Sequence, residues 1–439
     1  MSLPLRRRTV ALAACAAAVL GPVALAAPAS AAPAGAPVQT PTLAPGTHFF
    51  TPPPDEGGVR QVLDLSHQRR FADAAAVGKE LATPQAVWFT DGTPQQLQAD
   101  VRKTVLEAKA FRAVPTLVVY NAPGRDCAQY SAGGAASSAA YQAWVDGFAR
   151  GLVGNQQVVV VVEPDGLANL PSDCGPAYTS DPANPTDAQR IAEIRYAGEA
   201  IEKANRNALV YLDAGHSGWH SVADTTARLD AAGVAEFAGF SLDVSNYQWT
   251  QNLSQYGTWV SNCLALHPDA ETTTPTDCGD QYYSGGPGNW GAGALDPAQK
   301  WSDGATAAGA DTAFVNARYA DELTAAGATP TARFVLDTSR NGQGPWAPAA
   351  GVTYPDPQTW CNPPGRGLGP NPQARPNAAF PQLDAYLWIK TPGQSDGQCN
   401  RGIAGSTTDP EWGGITDPAA GAWFPQQALE LAQLANPRG

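Results

Sequence analysis

Residues 158–162 are five consecutive valines, followed at once by Glu163-Pro164-Asp165. A β-branched run of this length without polar alternation suits a strand covered on both faces, the condition found inside a parallel sheet sandwiched by helices. Pro164 removes a backbone donor and ends the ladder, so two carboxylates stand at the exit of a buried strand. In parallel α/β folds the C-terminal strand ends open onto one mouth, where loops converge and chemistry is placed. A blander account, in which Asp165 caps a short helix and Glu163 pairs with a nearby cation, explains this stretch alone equally well. The rest of the chain has to decide.

Strand patterns recur at residues 86–90, 114–120, 158–163, 208–213, 239–244, 332–337 and 385–390, and helical patterns lie between them at 95–111, 139–152, 187–206, 219–232 and 312–326. Seven strands with interleaved helices predict a parallel α/β barrel, although an open doubly wound sheet gives the same alternation. No GxGxxG follows the first strand and no GxxxxGK[ST] occurs, so nucleotide and dinucleotide cofactors are not expected. Three connections, 261–310, 341–379 and 391–421, exceed ordinary loop length and read as lids or binding walls.

Residues 1–31 read as a secretory signal: Arg6, Arg7 and Arg8, an alanine-rich apolar run, and an Ala29-Ser30-Ala31 cleavage site. Residues 32–45 form a Pro/Ala-rich linker, and 46–439 a single catalytic domain. The chain carries a net charge of −13, and loss of the three signal arginines takes it to −16. Such a surface repels nucleic acid and anionic membrane, and it does not repel a neutral polymer such as a polysaccharide. Of seven cysteines, six remain after Cys15 is removed, an even number for an oxidising, extracellular compartment, with fifteen pairings open in principle. No CxxC pattern points to zinc.

Several strands end in acid: Asp126 after the second, Glu163 and Asp165 after the third, then Asp213, Asp337 and finally Asp396. If the strands are parallel, five loops deliver carboxylates to one rim. Like charges held close push pKa values apart, which is the division that glycosidic cleavage requires: one carboxyl protonated to serve the leaving oxygen, another ionised. Tryptophans follow the same rim. Trp88, Trp219, Trp360 and Trp388 stand at or after strand ends, and Trp249, Trp259, Trp290, Trp301, Trp346, Trp412 and Trp423 fall mainly in the long loops, where flat faces suit pyranose rings. Trp144 and Trp388 are expected in the core.

The ordered segments VVYNAPGRDC, VVVEPDGLANL, YLDAGHSGWH, LDTSRNG, WCNPPGRGLG and WIKTPGQSDG resemble the successive motifs of glycoside hydrolase family 6, secreted cellulases that comprise cellobiohydrolases and endoglucanases. The resemblance implies a distorted seven-stranded α/β barrel and inverting hydrolysis of β-1,4-glucan. It makes Asp165 the general acid, Asp126 the group that raises its pKa and, with Ser131, helps order the attacking water, and Asp396 the candidate base. Tyr120 would crowd the ring at the cleavage point. Trp88, Trp219 and Trp360 become sugar platforms, with His216, Asn246, Arg340 and Lys390 as polar contacts and Asp213 and Glu163 as supporting carboxylates. Where the family commonly carries glutamate, this chain has Gln394, an amide that still bonds a hydroxyl but adds no charge. The resemblance also implies the pairs Cys127–Cys174 and Cys361–Cys399, leaving Cys263 with Cys278.

The expected protein is thus a secreted, cofactor-free and metal-free monomer acting on cellulose and cello-oligosaccharides. The long segments 261–310 and 400–421 favour a roofed, chain-threading cellobiohydrolase over an open-cleft endoglucanase. A non-catalytic polysaccharide-binding protein would use the same aromatics without needing Asp126, Asp165 and Asp396 together. A zinc site at His216 and His220 has the right spacing for a helix but no HExxH.

Overall fold

The valine run forms β3 (Val158–Val162), every residue of it buried. Its side chains divide by parity. Val159 and Val161 pack inside the barrel with Leu209, Tyr211 and Val335, whereas Val158, Val160 and Val162 lie under the helices with Phe148 and Ile194. Burial on both faces is the physical reason the run carries no polar alternation. The structure, a computed structural model, describes residues 41–271, 274–282, 295–301 and 312–436. The signal segment, most of the linker, Trp290 and much of segment 261–310, one of the two segments expected to roof the cleft, lie outside them.

The other parallel strands are β1 (Val87–Phe89), β2 (Thr116–Val119), β4 (Ala208–Asp213), β5 (Gly239–Leu242), β6 (Arg333–Asp337) and β8 (Leu383–Leu387). They lie side by side in chain order, all mutually parallel. A two-residue β7 (Gln373–Ala374) pairs antiparallel with β8 and brings the sheet to eight strands, one more than expected. It is too short to leave a period in the sequence. The sheet curls until Ala86 N–H reaches Trp388 O at 2.9 Å and the Trp88 indole N–H reaches Ile389 O at 2.8 Å. β1 therefore meets the end of β8 through single hydrogen bonds and no ladder, which makes the barrel a distorted one. Between β5 and β6 the approach is so close that a Cβ on Gly239, at φ +147°, would lie 1.7 Å from Arg333 O.

Ten helices surround the sheet among the described residues. The earliest are α1 (Glu56–His67), α2 (Phe71–Leu81), α3 (Pro94–Ala110), α4 (Ser138–Gly151) and the single-turn α5 (Pro176–Thr179). The remainder are α6 (Asp187–Ala204), α7 (Val222–Ala231), α8 (Thr250–Leu266), α9 (Thr312–Ala326) and α10 (Pro425–Gln433). α3 and α6 start where expected because Thr93 with Gln96, and Thr186 with Gln189, form capping boxes. α8 breaks the amphipathic rule that would have revealed it. Its polar Asn252, Ser254, Gln255 and Ser261 are buried, and they serve neighbours: Asn252 takes the Trp301 N–H at 2.9 Å and gives its own amide to Gln299 O at 2.8 Å. The first turn of α1 holds Gly57-Gly58. The glycines are needed because the Trp423 ring packs on them, and a Cβ on Gly57 would meet Trp423 Cβ at 2.5 Å.

Most of the described loop tryptophans are committed to the fold. Trp259 and Trp301 stack on each other at 5.7 Å and are essentially inaccessible. The Trp249, Trp412 and Trp423 indoles bond Ala298 O, Asn362 O and Gln61 respectively, and Trp346 lies under the Arg401 guanidinium. Trp144 and Trp388 are core residues. Disulfides join Cys127–Cys174, Cys263–Cys278 and Cys361–Cys399. Among the described residues no helix is long and apolar enough to cross a membrane.

Candidate active site

The exit of β3 is a strained turn held from behind. Glu163 and Asp165 both have left-handed backbones, with φ of +51° and +63°, a conformation that costs of order 1–3 kcal/mol at each non-glycine position. Glu163, 1% exposed, turns away from the mouth. Its carboxylate accepts the N–H of Asn121 at 2.9 Å, the N–H of Ala122 at 3.0 Å and the Tyr141 hydroxyl at 2.9 Å, pinning the end of β3 to that of β2. Asp213, at the end of β4, accepts the Asp165 N–H at 2.8 Å through Oδ2 and the Ser241 hydroxyl at 2.9 Å through Oδ1. These bonds aim the Asp165 side chain into the mouth, where its Oδ1 is buried without a protein partner.

Burial pushes the Asp165 carboxyl well above the ordinary carboxylate range, and the charges of Asp213, Asp126 and Asp396 add to that in this order. Asp213 is itself raised to about 7, chiefly by burial. Its influence on Asp165 thus precedes that of Asp126, the neighbour expected from the sequence to set the acid's pKa.

Asp126 stands on the loop after β2, also left-handed at φ +58°. The Cys127–Cys174 disulfide anchors it, as does Arg125, whose guanidinium bonds Thr90 O and Ser131 O at 2.9 Å each and lies 4.6 Å over the Tyr120 ring. The Ser131 N–H donates to Asp126 Oδ2 at 2.6 Å. Burial raises the Asp126 pKa and this bond opposes it. The loop tip is tied across the mouth by Tyr130. Its hydroxyl donates to Asn400 Oδ1 at 3.2 Å and accepts from Gln358 Nε2 at 3.1 Å, while its ring packs on Gly397 and lies 5.8 Å from Trp360.

Asp396, after β8, has the opposite environment. Arg340 Nη1 donates to both carboxylate oxygens at 3.0 and 2.9 Å, Lys390 Nζ lies 3.2 Å from Oδ1, and the Tyr247 hydroxyl and Asn362 N–H each donate to Oδ2 at 3.0 Å. Burial works against its charge, but Arg340 and then Lys390 prevail and hold the pKa below the usual value. Arg340, expected to touch sugar, is wholly buried at 0% exposure behind Asp396 and does not line the cleft. Its role is electrostatic support. Tyr247 and Asn362 carry no acid, repeat or strand-end signal and went unrecognised in the sequence.

One cleft of about 640 Å³ opens at these strand ends. Asp126, Asp165 and Asp396 reach it, together with Ser131, Tyr120, Trp88, Trp219, Trp360, His216, Asn246, Lys390 and Gln394. Asp213, Glu163 and Asp337 do not. Asp337 is 1% exposed and accepts the N–H groups of Lys390, Ser339 and Ser245 at 2.8–3.1 Å, so three of the five acid-bearing strand ends feed the mouth and the others hold its backbone. Trp88 meets Tyr120 edge-on at 5.5 Å, and Trp219 stacks on His220 at 5.6 Å. Residues 216–220 are not helical. His220 contacts Ala168 O at 2.6 Å through Nε2 and Asp224 at 2.7 Å through Nδ1, so both its ring nitrogens have protein partners. His216 is driven down to about 3 by burial and by His220, and stays neutral.

The segment 400–421 folds onto its own wall. Arg401 forms a buried ion pair with Asp409 and bonds Gln358 O and Cys361 O, Asn362 Nδ2 donates to Asp417 at 2.9 Å, and Trp412 packs on Phe424 at 4.8 Å. Within this segment only Ala420 and Gly421 line the cleft.

The family model for glycosyl hydrolases family 6 matches residues 44–435. The chain is 32% identical over 365 residues to endoglucanase A of Cellulomonas fimi, covering 83% of this chain and 57% of that protein, so it spans little more than half of that relative's length. It is 29% identical over 340 residues to a protein named probable 1,4-β-D-glucan cellobiohydrolase C from Neosartorya fischeri, covering 73% and 62%. Its fold is similar to that of the endoglucanase Cel6 from Mycobacterium tuberculosis in complex with a methyl-cellobiosyl-4-deoxy-4-thio-β-D-cellobioside, with a TM-score of 0.60, 29% identity, and 89% and 97% of the two chains covered.

Proposed function

The chain belongs to glycosyl hydrolases family 6, and from that premise we propose that it is a secreted, inverting β-1,4-glucanase that cuts cellulose chains at internal bonds. The observation that carries the chemistry is the split between two carboxyls on one cleft: Asp165 kept protonated by burial and neighbouring acids, Asp396 kept ionised by Arg340 and Lys390. Asp165 donates its proton to the leaving glycosidic oxygen. Water attacks from the opposite face of the ring, ordered by the loop that carries Asp126 and Ser131. The proton that the attacking water sheds passes along the open cleft to bulk solvent, which afterwards reprotonates Asp165. Asp396, filled with donors and of low pKa, is suited to holding negative charge toward the oxocarbenium-like transition state rather than to collecting that proton. Tyr120, its phenol kept neutral by burial and by Asp165 and Asp126, stands beside the reacting ring as a donor.

Internal cutting is favoured because residues 400–421, long enough to roof the cleft, are bound down on the 354–362 wall. The similar proteins carry both names, endoglucanase and cellobiohydrolase, so the choice between them rests on the geometry of this cleft. Exo action from chain ends is the second reading, and it has one specific observation, the Tyr130 bridge over Trp360. The deciding experiment compares soluble sugar with new reducing ends on insoluble cellulose, alongside viscosity of a substituted soluble cellulose. Endo action gives insoluble ends and a rapid fall in viscosity. Cellobiose as nearly the whole product, with viscosity maintained, overturns it. Proton NMR of the first product tests inversion: the α anomer is expected, and a β anomer removes the assignment.

A further inference from the structure

Gln394 lines the cleft two residues before Asp396, and its Nε2 donates to Asp55 Oδ2 at 3.0 Å. Asp55 comes from the other end of the domain. Its Oδ1 caps α1, accepting from Gly57 N–H at 2.7 Å and Gly58 N–H at 3.4 Å. One carboxylate thus divides its oxygens between a helix start and a cleft wall. The two ends are tied a second time, since the Trp423 ring packs on Gly57 and Gly58, and Trp423 bridges the Gln394 backbone. A carboxylate has only acceptors to offer, so the amide group facing it is the NH2. The Gln394 oxygen makes no hydrogen bond among the described residues. Glu80, packed behind Gly393, is buried and held protonated by that burial, so it adds no charge to the pair.

We propose that Asp55 is a positioning residue for this cleft: by holding the Gln394 amide nitrogen it presents the amide oxygen as an acceptor for a sugar hydroxyl, and it calls for an amide at position 394. A glutamate there would set a second carboxylate against Asp55 at hydrogen-bond range. This rests on the reading of the cleft as a glucan site. Asparagine caps a helix as well as aspartate does, so Asp55→Asn keeps α1 while reversing the group that faces position 394. With the new amide oxygen retained on the helix start, its NH2 takes the place of Asp55 Oδ2 and can only donate. The Gln394 amide then turns its oxygen toward that NH2 and offers the cleft a donor.

The test is a double-mutant cycle on cellotetraose hydrolysis with the full chain, reading KM and kcat. Asp55→Asn and Gln394→Glu should each raise KM by about three- to tenfold, the range of one hydrogen bond, with kcat within about twofold. Asp55→Asn/Gln394→Glu should return KM to within about twofold of wild type, because the new NH2 donates to the new carboxylate. Any loss of the helix cap enters every arm that carries Asp55→Asn and cancels in the coupling. A double variant whose KM is the product of the two single effects overturns the inference, as does Asp55→Asn with unchanged KM. A wild-type chain that leaves cellotetraose intact removes the glucanase reading itself. Turnover by wild type with no coupling removes only the role of Asp55.

Discussion

Asp165 and Asp396 share one cleft and one chemistry of side chain, yet everything behind them differs. Behind Asp165 lie acids: Asp213 bonded to its own N–H, and Asp126 on the next loop. Behind Asp396 lie two cations and two neutral donors. The first carboxyl is too costly to ionise and the second too well solvated by protein to neutralise. Division of labour between the two therefore comes largely from the layer beneath the cleft, from Asp213, Arg340 and Tyr247, which do not line it, with Asp126 and Lys390 adding to it from the cleft wall.

The largest break in this contrast is Asp165→Asn, which removes the transferable proton. Hydrolysis of cellotetraose should fall by about 10² to 10⁴, and a cello-oligoside with a dinitrophenyl leaving group, which needs no protonation, should lose far less. Equal loss on both substrates would remove Asp165 as the acid. Stability should move the other way. Because its folded pKa is raised, the contribution of Asp165 to stability is fully present below its unfolded pKa of about 3.9 and disappears as pH rises through the folded value. Asp165→Asn should accordingly melt higher than wild type at pH 7, with the gap closing toward pH 4.

How far the sequence reached follows the same division. The cleft-facing half was legible because each member sits at a signalled place: Asp165 after a valine run, Asp126 in GRDC, Asp396 in QSDG, Trp88 and Trp219 beside strand ends. The supporting half was not. Arg340 has the charge of a ligand-binding residue and nothing in LDTSRNG shows that it is wholly buried. Trp259 looked available because α8 has no apolar stripe, its buried polar side chains being satisfied by residues 299 and 301, far along the chain. The length of segment 400–421 suggested a roof, but length carries no direction, and the buried Arg401–Asp409 pair and Asn362 bind it to its own wall.

Arg340→Met attacks the other member of the pair. Arg340→Met leaves Asp396 with Lys390 as its one cation, and since losing a partner of a buried ion pair costs at most about 3–5 kcal/mol, a loss up to that size should be detected by chemical denaturation. The sign with pH is opposite to that for Asp165. A depressed pKa gives stability that is present above the unfolded value and lost as pH falls through the folded one. With the guanidinium gone, acid unfolding should begin at higher pH than in wild type. An unchanged acid limb would mean that Lys390 and the neutral donors suffice, and that Arg340 serves packing alone.

The finest cut is Tyr247→Phe. The Tyr247 ring carries the Arg340 guanidinium 4.1 Å above it, and the hydroxyl donates to Asp396 Oδ2 at 3.0 Å. Phenylalanine keeps the first contact and deletes the second. Burial holds the phenol protonated, so the hydroxyl is a donor throughout the working pH range. With Asn362 N–H and Arg340 still on the same oxygen, the loss should be about 1 kcal/mol, and the acid limb should shift in the same direction as for Arg340→Met but by less. If instead Tyr247→Phe matches Arg340→Met in both stability and acid limb, the donors around Asp396 act as one unit in which the hydroxyl orients the guanidinium. The contrast with Asp165 would then lie between a cooperative cage and an unpaired acid, and counting separate donors would no longer describe it.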